Sequence, residues 1–201
     1  MKSKILTTLL SCAALAALSA TASAAVMTYT QTGVLSGSLG GTSFTDAAVT
    51  LRVTADTANV KYELLSGVIP AWTNAGVTTI DIDGFETATF NGPNAYGAYS
   101  QNLSFFLDGT TLTGIGELSD YYTILGNYQT AEPNYALDTA KTFTGSATTT
   151  NGTYYSTTLG DLITTSVSGS STFTAAVPEP SAFALLGLGA LGLVARRRRS
   201  A

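Results

Sequence analysis

The sequence predicts an all-β domain, an antiparallel β-sandwich or jelly roll, for most of its length. Three observations support this prediction: apolar and polar residues alternate, Asp-Gly and Asn-Gly dipeptides separate β-prone runs, and helical periodicity is scarce. Alternation places one face of a strand against a core, and such dipeptides supply the positive φ angles of tight turns. Many strands joined by tight turns are typical of antiparallel sandwiches and jelly rolls.

The alternation is clearest in two stretches of the chain. Val49, Leu51 and Val53 are separated by polar residues, and so are Ile80 and Ile82. Because successive side chains of a strand point to opposite faces, each stretch predicts a strand with one buried face.

Tight turns of type I′ are predicted at Asp83-Gly84, Asp108-Gly109 and Asn151-Gly152, because each dipeptide lies between β-prone runs. Helical spacing appears only from Leu118 to Leu125, which predicts one or two turns of helix. A further helical turn is considered at residues 161–163. The domain is therefore expected to contain almost no helix.

The N-terminus has the three regions of a secretory signal peptide. Lys2 and Lys4 form a basic region, residues 5–18 are mostly apolar, and Ala22-Ser23-Ala24 is a small-x-small cleavage site. We therefore expect a signal peptide at residues 1–24, cleavage by signal peptidase after export through the general secretion machinery, and a mature N-terminus at Ala25. The alternative is a lipoprotein signal with Cys12 as the lipidated residue.

Cleavage after Ala24 removes Cys12, which is the only cysteine, so the mature domain has no disulfide. Residues 25–176 form one domain of ordinary size, which is long enough to bury a core. This domain contains three basic and twelve acidic residues, so its net charge is −9. Such an acidic surface excludes nucleic acid and anionic lipid as partners, because both require basic patches.

The C-terminal segment, residues 177–201, has three parts in a fixed order. Pro178, Glu179 and Pro180 come first, an apolar run follows at residues 182–195, and Arg196, Arg197, Arg198 and Arg199 come last. The run would rise about 21 Å as a helix, which is short for a membrane span, but arginine side chains extend the reach by snorkelling to the headgroups. The arginines predict a cytoplasmic C-terminus and a single transmembrane helix that leaves the prolines outside.

This tail resembles the PEP-CTERM sorting signal of Gram-negative bacteria that produce exopolysaccharide. The resemblance implies that an exosortase recognises and removes the tail, which anchors the protein in the inner membrane only transiently. It further implies a final location at the cell surface or in the extracellular matrix. The alternative is an ordinary C-terminal anchor, for which the Pro-Glu-Pro sequence has no role.

The composition excludes several kinds of catalysis. The chain has no histidine, and the predicted mature domain has no cysteine. These absences exclude Ser-His-Asp and Cys-His catalysis, thiolate nucleophiles, and zinc sites that depend on His or Cys. Carboxylates remain, and a glycosidase needs only two of them. The glutamates of the domain are Glu63, Glu86, Glu117 and Glu132, and the sequence does not single out a pair.

Two kinds of binding site remain open. Asp81, Asp83 and Glu86 are close along the chain and suggest a calcium site, although Asp83 is equally explained by its turn. Aromatic residues suggest a platform on which sugars stack, although core packing explains the same residues. The aromatic candidates are Trp72, Tyr96, Tyr99, Tyr121, Tyr122, Tyr154 and Tyr155.

The sequence thus leaves two functions from different classes. The first is a non-enzymatic surface or matrix protein, which is sorted by an exosortase and associated with exopolysaccharide in a biofilm. The second is an extracellular module that binds or acts on carbohydrate. No cofactor is expected apart from the calcium considered above.

Overall fold

We describe the fold from a computed structural model, which places residues 25–91, 95–104, 107, 109–130 and 134–178. Within these residues the chain forms twelve β-strands and one short 3₁₀ helix, Thr57–Asn59. The all-β prediction is therefore confirmed for the domain. The predicted signal peptide and the predicted transmembrane helix lie outside the described residues.

The strands differ greatly in length, and the three longest lie side by side in the sheet. The strands are β1 (Val26–Leu39), β2 (Thr42–Asp56), β3 (Lys61–Leu65), β4 (Ile69–Ala75), β5 (Val77–Ile82), β6 (Ala88–Thr89), β7 (Tyr96–Asn102), β8 (Thr110–Glu117), β9 (Tyr122–Thr130), β10 (Lys141–Thr148), β11 (Tyr154–Thr157) and β12 (Gly160–Ala176).

All twelve strands belong to one antiparallel sheet in the order β3-β4-β7-β8-β9-β10-β12-β1-β2-β5-β6, and β11 pairs with β12. A sandwich would have two separately hydrogen-bonded sheets, so the structure differs from that part of the prediction. The long strands explain the difference. β12 pairs with β10 and with β11 at different points along its length, and thereby joins parts that two sheets would separate.

The sheet is open, but the β6 end of the sheet also contacts β11, which pairs with β12. The short strand β6 is followed by Phe90, which forms an isolated bridge with Thr157 at the end of β11. The backbone N–H of Asn91 donates to the carbonyl of Ser156 at 2.8 Å, and the N–H of Thr158 donates to the carbonyl of Thr89 at 2.8 Å. The edge of β6 is therefore covered, whereas β3 at the other end pairs, among the residues that the structure describes, with β4 alone.

The main core lies on the inward face of the curved sheet. Strand β1 contributes Met27, Tyr29 and Leu35, which are fully buried, and strand β12 contributes the fully buried Phe173. The alternating residues Val49, Leu51, Val53, Ile80 and Ile82 are buried as the sequence predicts. A smaller cluster of Tyr99, Leu103 and Leu112 lies apart from this core.

The three predicted turns are turns, but type I′ geometry is wrong for two of them. Gly84, Gly109 and Gly152 all have positive φ angles. Neither Asp83 nor Asn151 has a positive φ, which type I′ requires at both central positions. Asp108 lies outside the described residues.

Positive φ angles at both central positions are instead found in the two-residue turn Gly40-Gly41, between β1 and β2. Their φ angles are 57° and 83°, and Leu39 pairs with Thr42 across the turn. The sequence signal was present, because Gly-Gly between β-prone runs favours such a turn.

The expected helical turns are also wrong. Residues 118–121 form the turn between β8 and β9, while Tyr122 and Leu125 belong to β9. Asp161–Ile163 lies in β12. Asp161–Ile163 pairs with strands on two sides, and Tyr122, Thr123 and Leu125 pair with β8. Such tertiary pairing overrides a short local preference.

Candidate functional site

The sorting segment continues directly from the central strand β12. This strand ends at Ala176, which pairs with Thr28 near the start of β1, and Val177 and Pro178 are exposed. The two ends of the domain are therefore adjacent. Ala25 is fixed at the same end, because its N–H donates to Thr57 Oγ1 at 3.0 Å and its carbonyl accepts from the N–H of Thr57 at 3.1 Å.

The other residues that were predicted to direct export and sorting lie outside the described residues. They are Ala22, Ala24, Glu179, Pro180, residues 182–195 and Arg196, Arg197, Arg198 and Arg199. Across the part of the chain that the structure places, no helix has the length and apolar character needed to span a membrane.

The structure does not bring Asp81, Asp83 and Glu86 together as metal ligands. Among the residues it describes, no group of three or more acidic, His or Cys side chains is arranged to hold a metal ion. Asp81 lies in β5, where its carboxylate accepts hydrogen bonds from Thr87 Oγ1 and from the Arg52 guanidinium. The bond from Thr87 and the neighbouring Arg52 lower the pKa of Asp81. This carboxylate is already satisfied by protein groups.

The aromatic residues do not form a common platform. Tyr96, Tyr99 and Tyr155 are buried, as core packing predicts. Tyr122 and Tyr154 are 39% and 67% exposed. Trp72 is half-buried and packs against Tyr62, with ring centroids 5.1 Å apart. Tyr121 is partly buried and lines a polar cleft.

This polar cleft has a volume of about 460 Å³ and lies beside the edge hairpin β3–β4 and the β8–β9 turn. Its lining residues carry hydroxyl, amide, ammonium and carboxylate groups. They are Asn59, Lys61, Glu63, Thr73, Ala75, Ala95, Leu118, Ser119 and Tyr121.

Tyr121 and Glu63 both line the polar cleft, and their side chains interact there. Partial burial and the neighbouring Glu63 carboxylate raise the pKa of Tyr121 to about 12. Glu63 is on β3 and Tyr121 is in the β8–β9 turn, so the fold brings together residues that are distant in sequence.

Tyr121 adopts a left-handed backbone conformation with a φ angle of 57°. This region favours glycine and asparagine, and a bulky aromatic residue is uncommon there. The turn joins Glu117 to Tyr122, which pair directly across the hairpin. The strained backbone directs the Tyr121 side chain into the polar cleft.

Lys61 provides the positive charge of the polar cleft. It is exposed and lies two residues from Glu63 on β3, so both side chains point from one face about 7 Å apart. Lys61 forms no ion pair with any described residue. Within the described residues, the ion pair joins Arg52 to Asp81. The polar cleft thus presents a cationic donor and an anionic acceptor side by side.

A second carboxylate lies behind the polar cleft. Glu117 is 4% exposed, and Ser119 Oγ donates to its Oε1 atom at 2.8 Å. Ser119 lines the polar cleft, but the carboxylate of Glu117 is buried below it. Glu117 therefore orients Ser119 and is screened from a ligand.

A second, more apolar cleft of about 560 Å³ shares Ala75 and Ala95 with the polar cleft. Its lining includes Val77, Phe90 and Tyr96. The hydrogen bond from the N–H of Gly76 to the carbonyl of Tyr96, at 3.1 Å, links its two walls.

Comparison with known proteins identifies the tail. Residues 176–199 match the family model described as the PEP-CTERM protein-sorting motif. The match includes Pro178, Glu179 and Pro180, the apolar run and the arginines. No curated protein and no solved structure matches the chain. The chain therefore carries a PEP-CTERM sorting signal, which is typical of an extracellular protein that an exosortase sorts.

Proposed function

We propose that this protein is a non-enzymatic component of the extracellular matrix that associates with exopolysaccharide after exosortase sorting. The observation that supports this proposal is the sorting motif at residues 176–199, which follows strand β12 without an intervening domain. What the exosortase delivers is thus one acidic all-β domain.

The tail is proposed to act as a transient anchor in the inner membrane. The signal peptide directs the domain across that membrane, and the apolar run at residues 182–195 stops the transfer. Arg196–Arg199 hold the C-terminus in the cytoplasm, because each charge is costly to move through hydrocarbon. The Pro-Glu-Pro sequence is then presented at the outer face, where exosortase cleavage releases the domain.

A non-enzymatic role is supported by the environment of the carboxylates. Glycoside hydrolysis requires two carboxyl groups on either side of the scissile bond. Glu117 is buried, Glu63 is the one glutamate in the lining of the polar cleft, and Glu86 lies in the turn after β5. Glu132 lies outside the described residues. Binding without cleavage therefore fits this domain better than hydrolysis.

The sorting proposal is tested with Glu179→Ala in a host that carries an exosortase. We expect the variant to insert normally but to accumulate as full-length protein in the inner membrane, whereas the parent reaches the surface in a shorter form. The readout is the size and fractionation of the protein on immunoblots. If variant and parent have the same size and fractionation, the tail is an ordinary anchor.

A matched variant separates recognition from insertion. Replacing Arg196, Arg197, Arg198 and Arg199 by glutamine should impair retention and orientation of the tail, because the positive charges that hold it are lost. Protease accessibility of the C-terminus from the periplasm measures this change. Glu179→Ala should leave that accessibility unchanged.

A carbohydrate-binding module is the second candidate function, and the polar cleft favours it. Its lining combines hydrogen-bond donors and acceptors with one accessible aromatic ring, which is the chemistry that recognises sugars. The two candidates are compatible, because a matrix protein that binds polysaccharide is retained in the matrix.

A further inference from the structure

We propose that the polar cleft around Tyr121 and Glu63 is a binding site for a neutral sugar unit of an extracellular polysaccharide. This inference rests on the proposed matrix function and assigns the contact to particular residues. The cleft differs from the aromatic platform considered above, since of those aromatic candidates its lining includes Tyr121 alone.

The functional groups match a ligand that carries many hydroxyls. Each sugar hydroxyl both donates and accepts hydrogen bonds, so it is best recognised where donors and acceptors are adjacent. Lys61 and Asn59 provide donors, Glu63 provides an acceptor, and Thr73 and Ser119 provide hydroxyls. The ring of Tyr121 offers an apolar face for the C–H side of a pyranose.

The charges decide between a neutral and an acidic sugar. Lys61 and Glu63 both line the polar cleft, so the sum of their charges is zero there. The surrounding domain has a net charge of −9 and repels an anionic polymer at long range. A uronic-acid polymer would also bring its carboxylate close to that of Glu63. A neutral sugar avoids both penalties.

The backbone conformation of Tyr121 is a second observation that supports a binding site in the polar cleft. Glycine would adopt the left-handed conformation of this turn without strain, yet the position carries a bulky ring. Strained residues persist where their surroundings hold them, and they cluster at ligand sites. The fold places Tyr121 with Glu63 in the lining of the polar cleft, so the ring is part of the cleft before a ligand arrives.

The test uses the full-length chain in mild detergent and an array of neutral hexose oligosaccharides and uronic-acid oligosaccharides. The variants are Tyr121→Gly, which removes the ring and the backbone strain, and Glu63→Gln, which removes the acceptor charge. Tyr154→Ala is the matched control, because Tyr154 is an exposed tyrosine that does not line the polar cleft. Thermal unfolding of each variant is measured alongside.

We expect the parent and Tyr154→Ala to bind the same neutral oligosaccharides, and Tyr121→Gly and Glu63→Gln to lose at least tenfold in affinity. Tyr121→Gly should melt no lower than the parent, which would show that binding is lost without loss of the fold. Binding by Tyr121→Gly equal to the parent, binding of uronic-acid glycans alone, or no glycan binding by the parent would each overturn the inference. If Tyr121→Gly melts lower, Glu63→Gln decides the outcome.

A separate measurement distinguishes failure of this site from failure of the proposed function. Parent and variants are expressed in an exosortase host, and their copurification with the extracellular polysaccharide is measured. If the parent copurifies and Tyr121→Gly copurifies equally well, the matrix function stands and the assignment to the polar cleft fails. If the parent does not copurify, the proposed function itself fails.

Discussion

The hydroxyl of Tyr29 donates a hydrogen bond of 2.5 Å to the backbone carbonyl of Leu137. The same hydroxyl accepts from Asn74 Nδ2 at 2.8 Å. All three residues are fully buried, so this one oxygen connects β1, β4 and the segment that precedes β10. Asn74 Oδ1 has no hydrogen-bond partner among the described residues, so the amide already lacks one of its bonds.

Tyr29→Phe should therefore destabilise the domain by about 1–3 kcal/mol, because it leaves a buried carbonyl and a buried amide N–H without partners. Urea unfolding followed by circular dichroism measures the loss. Tyr154→Phe is the control, since its hydroxyl is on an exposed side chain and its removal should change stability by less than about 0.5 kcal/mol. Equal losses in the two variants would contradict the role assigned to Tyr29.

The Gly40-Gly41 turn gives a second prediction, in which neighbouring positions behave differently. Both residues have positive φ angles, so alanine at either should cost about 1–2 kcal/mol. A Cβ at Gly41 would meet open space, whereas a Cβ at Gly40 would lie 2.3 Å from the carbonyl oxygen of Leu159. Gly40→Ala should therefore lose clearly more stability than Gly41→Ala in urea unfolding. The opposite order would show that the β1–β2 turn does not pack against Leu159 in the β11–β12 turn.

The third prediction concerns alkaline pH. Burial raises the pKa of Tyr99, Tyr135 and Tyr155 above the ordinary value of 10.0. Above about pH 10 these tyrosines ionise in the unfolded chain but stay protonated in the folded domain, so the unfolded state binds fewer protons and stability falls as pH rises. Above about pH 10 each of these tyrosines lowers the stability by roughly 1.4 kcal/mol per pH unit, or about 4 kcal/mol per pH unit for the three together.

Urea midpoints between about pH 8 and pH 11 test this slope, with tyrosinate absorbance as the second readout. Stability should be flat below about pH 10 and decline steeply above it, and ionisation of the buried tyrosines should coincide with unfolding. A gradual tyrosine titration that precedes unfolding would indicate that these rings are accessible in the folded state.

Local patterns predicted the strands that have one buried face and failed where pairing is long-range. Val49, Leu51 and Val53 are buried in β2 as their alternation indicates. Helical spacing from Leu118 to Leu125 was misleading, because that stretch forms a hairpin turn and the start of β9. The helical preference of a few residues contributes less free energy than the cross-strand pairs that these residues and their neighbours form.

The candidate calcium and aromatic sites show the same limit. Asp81 is close to Asp83 and Glu86 in sequence, but its carboxylate bonds to Arg52 on the neighbouring strand. Conversely, Glu63 and Tyr121 line the same polar cleft, although no local pattern predicts that they meet. The register of the sheet decides which side chains meet, and register depends on the whole set of strand pairings.

The sequence by itself determined the sorting signal, because each of its parts acts through composition and order along the chain. Prolines, an apolar run and a terminal block of arginines have these properties whatever the rest of the chain does. The sequence also determined the β class of the domain, since alternation and turn residues are local. Only the tertiary structure decided that one sheet forms, that β1 and β12 pair at its centre, and that Glu63 meets Tyr121 in a polar cleft. The physical reason is that these features depend on contacts between residues distant in sequence, whose free energy appears only when the strands pair.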